Sequence, residues 1–198
     1  MQTGTNGTSY YFSVASGDIT NFFNEVDLNT PWDYHYENLD SRTILDRLAA
    51  VKYFVVKAGE EEYLPYGYDT LAAEVEKHDK LYRAYECKNA LPIGYTYDSY
   101  IPEEKYAKMS TVEKQQALLQ GVILSNSTVP ETTLEFNDRE VPYKLVTGSG
   151  CKEKDGKLII TKENAQAKLV FDGLDECETY LITEGVDYEA LSPRELIS

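Results

Sequence analysis

From residue 130 onward the sequence is a succession of short runs, TLEFND, VPYKLVTG, GKLIITKE, AKLVFDG and TYLITEG, punctuated by Gly, Asn and Asp. Side chains alternate between the two faces of a strand, so runs of this length with period-two patterning suit sheets rather than helices. Turn residues at regular spacing between them predict a β-sandwich, or a sheet appended to what precedes it. No strand is evident in the closing stretch DYEALSPRELIS. This second unit, residues 128–198, is therefore expected to be incomplete, to be completed by further sequence, or to pack on the first.

Residues 1–127 have a different texture. MQTGTNGTS at the start is small and polar and is expected to fray. Ile19, Phe22, Phe23 and Val26 recur at helical spacing after Asp18, a candidate N-cap. Ile44, Leu45, Leu48 and Ala49 repeat that spacing after Asp40 or Ser41. The second helix runs directly into VKYFVV, a β-branched and aromatic run of strand length. Strands are predicted near 71–75, 81–87 and 93–97, the first two joined by a turn at EKHDK. Ser110 and Glu113 match the capping box, with Leu118, Leu119, Val122 and Ile123 as the buried stripe of a third helix. SNSTVPET then reads as a linker. The expected class is α+β: a mixed sheet with about three short helices over 1–127, then a β-rich, sandwich-like segment.

Charge narrows the partners. Against 34 acidic residues stand 19 basic ones, a formal net charge of -15. Binding to a phosphate backbone needs clustered Lys and Arg, so nucleic acid is excluded as an expected partner, as is docking on anionic lipid through a basic face. No run of about 18 apolar residues offers a membrane span, and no signal-peptide pattern opens the chain. Either a cytosolic protein or a water-soluble piece of a longer one fits. Cys87, Cys151 and Cys177 form no C-x-x-C pair and have no histidine at metal-ligand spacing. His35 and His78 are each isolated in sequence.

The other unusual number is 17 tyrosines. Tyr95, Tyr97 and Tyr100 fall within NALPIGYTYDSYI, and in a strand Tyr95 and Tyr97 share a face. An exposed pair would offer flat rings to the C–H faces of a sugar; a packed pair would be core with hydroxyls at its rim. Trp32, Asp33, Tyr34, His35 and Tyr36 form a second aromatic cluster, in a loop, where function concentrates. Trp32, Tyr34, Tyr36, Tyr95, Tyr97, Tyr100 and Asp98 are the candidate glycan-binding residues. Asp98, Glu103 and Glu104 could serve general acid–base chemistry only if the fold brought them together. No G-x-S-x-G, P-loop, G-x-G-x-x-G, H-E-x-x-H or EF-hand pattern is present. The residues themselves thus point to a binding or scaffolding part, with no catalytic residue, metal or cofactor expected.

Four stretches in this order, SRTILDRLAAVKYFVV (41–56), YLPYGYDTL (63–71), NALPIGYTYDSYI (89–101) and VEKQQALLQGVIL (112–124), resemble the large extracytoplasmic region of the YfhO-like bacterial polytopic membrane proteins. That family is regarded as glycosyltransferases of the C-type membrane superfamily. The resemblance implies a domain on the extracellular face of a Gram-positive cell membrane, belonging to an enzyme that decorates cell-surface polymers such as lipoteichoic acid. It implies a polyprenyl-phosphate sugar donor for the whole protein, and as partners the transmembrane portion of the same chain and a cell-surface glycan or teichoic acid. The family's catalytic carboxylate belongs to an early loop that no residue here matches. The expected role is therefore non-catalytic: to help bind or orient the acceptor glycan, or else to brace the transmembrane region as a structural or protein-interaction domain.

Overall fold

A computed structural model describes residues 7–11, 16–28, 35–36, 38–137, 139–183 and 185. The chain divides into two units, Met1–Glu140 and Val141–Ser198, and is mixed α+β. In the first unit β1 (Tyr10–Tyr11), α1 (Gly17–Glu25) and β2 (His35–Tyr36) precede α2 (Thr43–Leu48) and β3 (Tyr53–Lys57). A 3-10 turn at Glu61–Tyr63 leads to β4 (Tyr68–Lys77) and β5 (Lys80–Cys87). Then come β6 (Tyr100–Pro102), the single turn α3 (Glu103–Tyr106), α4 (Thr111–Ala117) and β7 (Val122–Leu124).

The main sheet has the order β3-β5-β4, all antiparallel. Its tight hairpin forms at EKHDK, where Lys77 pairs with Lys80 around His78 and Asp79. Both central residues have positive φ, 51° and 57°, the backbone signature of the turn whose twist matches that of the strands it joins. Strand β4 is a long exposed edge, and register shifts after Tyr68 and Leu71 interrupt it. Such bulges twist an edge away from stray pairing.

Tyr68 ties this sheet to the segment that follows α2. Its ring lies edge-on to Phe54 at 5.6 Å, and its hydroxyl donates to the Val51 carbonyl at 2.7 Å. Burial, reinforced by the nearby Asp46 carboxylate, pushes its phenol pKa well above the usual tyrosine range. Thr43 Oγ1 donates to the Tyr66 carbonyl at 2.8 Å, fixing the loop that leads into β4.

Among the described residues two apolar clusters form the core of the first unit. Phe23, Val26, Leu28, Leu39 and Leu45 make one, with Phe22, Leu48 and Leu118 against it. Ile101, Tyr106 and Ala117 make the other, with Met109, Leu118, Ile123, Leu134 and Phe136 against it. Leu118 touches both clusters and so couples them.

Local chemistry corrects several expectations. The capping box forms as read: Glu113 N–H donates to Ser110 Oγ at 3.3 Å and Ser110 N–H to Glu113 Oε2 at 2.8 Å. The helix it starts nevertheless ends at Ala117, and Val122–Leu124 form β7, parallel to β6. Apolar spacing across Leu118, Leu119, Val122 and Ile123 thus straddles a helix end, and Gly121 marks the break. A Cβ there would collide with Thr132 Oγ1 and stand 3.1 Å from Ile101 Cγ1 and 3.3 Å from the Ser99 carbonyl. The N-caps are Ser16 and Arg42 rather than Asp18 and Asp40 or Ser41. Asp18 lies in the first turn of α1, where its charge still suits the helix dipole. Asp40 and Ser41 instead take positive φ in the preceding turn.

Residues 93–97 are not a strand. Among the described residues no strand pairs with them, and Pro92, just before, lacks the N–H that a ladder would need. Residues 130–132 run beside β6, with Tyr100 N–H donating to the Pro130 carbonyl at 3.0 Å and Thr132 N–H to the Tyr100 carbonyl at 2.8 Å. TLEFND is irregular in its described residues, held by its side-chain partners Gln116 and Gln120.

The second unit contains β8 (Tyr143–Thr147), β9 (Cys151–Lys154), β10 (Lys157–Ile160) and β11 (Ala167–Phe171). They form two antiparallel ribbons, β8 with β11 and β9 with β10. Strand β9, CKEK, has no apolar alternation and escapes a pattern reading. Asp155-Gly156 betrays it: Lys154 pairs with Lys157 around these two residues at φ 52° and 72°, the Asp-Gly hairpin turn. TYLITEG forms no strand among its described residues.

Candidate functional site

An apolar cleft of about 560 Å³ opens in the first unit, within the size range of small-ligand sites. Ile19, Phe22 and Phe23 of α1, Leu45 and Leu48 of α2, and Leu118 at the end of α4 supply its carbon surface. These are the apolar stripes of three amphipathic helices, converging where each helix turns its buried face inward. Thr8 and Asp18 bring polar groups to the lining, and Tyr95 and Tyr97 complete it.

The two tyrosine rings stand edge-to-face, 5.6 Å between centroids and 85° between planes. They do not form a flat, coplanar platform. Each hydroxyl is engaged: Tyr95 donates to the Leu48 carbonyl at 3.3 Å, and Tyr97 donates to the Leu118 carbonyl. Both acceptors lie at helix C-termini, where the last carbonyls have no partner within the helix. The segment around residue 96 thus forms no ladder but ties two helix ends together. Tyr97 is half-buried, and loss of solvation, with Tyr95 adding to it, pushes its phenol pKa up to about 12. Tyr95 remains 39% exposed, so its ring is the more accessible of the two.

The remaining sequence candidates are dispersed. Tyr100 opens β6 and Asp98 is exposed in the bend before it; neither lines the cleft. Trp32 and Tyr34 lie outside the described residues, and of Tyr36 only the backbone pairing with Tyr10 is described. Of the three acidic candidates, Glu103 accepts from Ser125 Oγ at 3.2 Å and heads α3 with Glu104. The helix residues that floor the cleft were legible as core, yet nothing local in the sequence marks them as one site. Their meeting depends on contacts between segments far apart in the chain.

A second, more polar cleft of about 570 Å³ lies beside α3 and α4, between Lys105, Lys108, Thr133 and Phe136. The Lys105 ammonium there is paired with Glu131 at 3.1 Å. All three cysteines are free thiols, Cys87 and Cys151 buried and Cys177 exposed. Among the described residues no group of acidic, histidine or cysteine side chains could hold a metal, and no helix is long and apolar enough to cross a membrane.

Comparison with known proteins settles the family. The family model described as "Bacterial membrane protein YfhO" matches residues 1–181. The chain belongs to the YfhO family. A curated YfhO relative, "Uncharacterized protein YfhO" of Bacillus subtilis (strain 168), is 26% identical over 166 residues. That alignment covers 81% of this chain and 18% of the relative, so the chain spans under a fifth of the YfhO protein it matches. No solved structure matches the chain.

Proposed function

We propose that this chain is a non-catalytic, extracellular domain of a larger membrane glycosyltransferase that decorates cell-surface polymers such as lipoteichoic acid. Its part is to help bind or orient the acceptor glycan. YfhO membership and the small share of the relative that the chain covers support a domain role. The donor site and the reacting carboxylate then lie in sequence outside these residues.

One observation carries the binding reading: a cleft of ligand size whose lining includes an accessible tyrosine ring, with Asp18 and Thr8 nearby. A sugar would lay its C–H face on Tyr95 and direct hydroxyls to Asp18 and Thr8. A net charge of -15 favours a neutral sugar over a polyanion, because like charges repel within about 8 Å at physiological salt. A different observation favours bracing. Both tyrosine hydroxyls are already donated to helix carbonyls, which is how a structural clamp is built.

Titration calorimetry separates the two. With neutral oligosaccharides or teichoic fragments, the binding reading expects millimolar affinity, weakened about tenfold by Tyr95→Ala as one ring contact is lost. Absence of heat with every sugar at millimolar concentration would leave the brace as the function.

A further inference from the structure

The second unit shows apolar side chains to solvent on both faces of its strands. Along β10, Leu158 is 43% exposed, Ile159 42% and Ile160 65%. Successive residues of a strand point to opposite faces, so neither face of β10 is covered. The other ribbon repeats the pattern. Val146 and Val170 are exposed on one face; Tyr143 and Phe171, which pair with each other in the register, are exposed on the opposite face. Cys151 is the buried apolar residue of this unit among those described. Among the described residues each ribbon has two strands, and no third strand pairs with either of its edges.

Such an arrangement is unfinished. A two-stranded ribbon is marginal in water, and independent stability needs a third strand or a covering layer over an apolar face. Apolar side chains stand exposed along β8, β10 and β11, as suits a surface made for contact. The ribbons, residues 143–171, also lie wholly within the region that the YfhO family model matches, residues 1–181, so their sequence belongs to the family rather than to a private appendage. Meanwhile the chain accounts for 18% of its Bacillus subtilis relative, which leaves ample polypeptide to supply what is missing.

We propose that the ribbons of β8 to β11 are one part of a larger β-structure, and that further sequence of a YfhO-length polypeptide completes them. The occupant is an extended segment with alternating apolar side chains. It adds to an open ribbon edge through main-chain hydrogen bonds, as strand addition does elsewhere, and buries Leu158, Ile160, Val146 or Phe171 against its own apolar face. The inference holds whichever ligand the tyrosine cleft takes.

Hydrogen exchange tests it in two settings: the 198-residue chain alone, and the same chain carried in the Bacillus subtilis relative in place of the matching region. In the isolated monomer, amides of β8 to β11 are expected to exchange nearly unprotected, while those of β4 and β5 stay protected and report an intact first unit. Within the longer polypeptide, protection of β8 to β11 should rise roughly 100-fold or more. Ile160→Lys should leave the isolated chain unchanged and lower that protection about tenfold.

Strong protection of the ribbons in the isolated monomer would overturn the proposal, since the unit would then be self-sufficient or covered by residues of this chain. A dimer whose formation protects them would overturn it in favour of a second copy. So would exchange that stays fast in the longer polypeptide while β4 and β5 remain protected.

Discussion

Removing one oxygen atom tests how the cleft is held together. In Tyr97→Phe the ring keeps its place beside Tyr95, but the Leu118 carbonyl loses its donor. A neutral hydrogen bond of this kind contributes about 1 kcal/mol net, so urea unfolding at pH 7 should show a loss of about that size. The alkaline limb supplies the sharper test. The folded protein holds the Tyr97 proton to about 12 against an ordinary 10. A folded-state pKa raised this way gives stability that is fully present below pH 10 and fades as pH climbs toward 12. A rise from 10 to about 12 corresponds to a ceiling of roughly 2.7 kcal/mol, and the half-exposed position reduces this to about 1 kcal/mol. The gap between wild type and Tyr97→Phe should therefore close between pH 10 and pH 12, followed by circular dichroism in urea series. Tyr95→Phe is the internal control, with a longer bond of 3.3 Å and an expected loss under about 0.5 kcal/mol. A Tyr97→Phe gap that is absent at neutral pH, or unchanged by alkali, would refute the clamp.

Other substitutions probe the elements that frame the cleft. Ser110→Ala removes the acceptor of the capping box and should cost about 1 kcal/mol in urea unfolding, with Ser110→Thr close to wild type. Ile101, fully buried at the centre of the second cluster, should lose about 2–5 kcal/mol on truncation to Ala, read as a lower urea midpoint. Gly121→Ala drives a methyl into Thr132 Oγ1 first, and against Ile101 and the Ser99 carbonyl, and should cost about 1–3 kcal/mol by the same measurement. Replacing His78-Asp79 with Asn-Gly suits the positive φ of that turn and should stabilise the hairpin by about 1 kcal/mol, seen as a higher melting temperature.

What the sequence determined by itself is the set of locally encoded devices. Ser110 and Glu113 sit three apart and can cap only a helix start, EKHDK between two strand runs can only turn back, and the spacing of Phe22, Phe23, Leu45 and Leu48 fixes the buried sides of α1 and α2. Each depends on residues within a few positions of one another. Where a local signal was ambiguous, context overrode it: the apolar spacing from Leu118 to Ile123 fits a helix, but β6 offered Val122–Leu124 a partner strand. Only the tertiary structure decided that Tyr95 and Tyr97 leave the sheet, cross at right angles and spend their hydroxyls on Leu48 and Leu118. Those carbonyls are 47 and 21 residues away along the chain. A hydrogen bond over that separation exists only after two helix ends have been packed side by side, and no pattern in neighbouring residues encodes it.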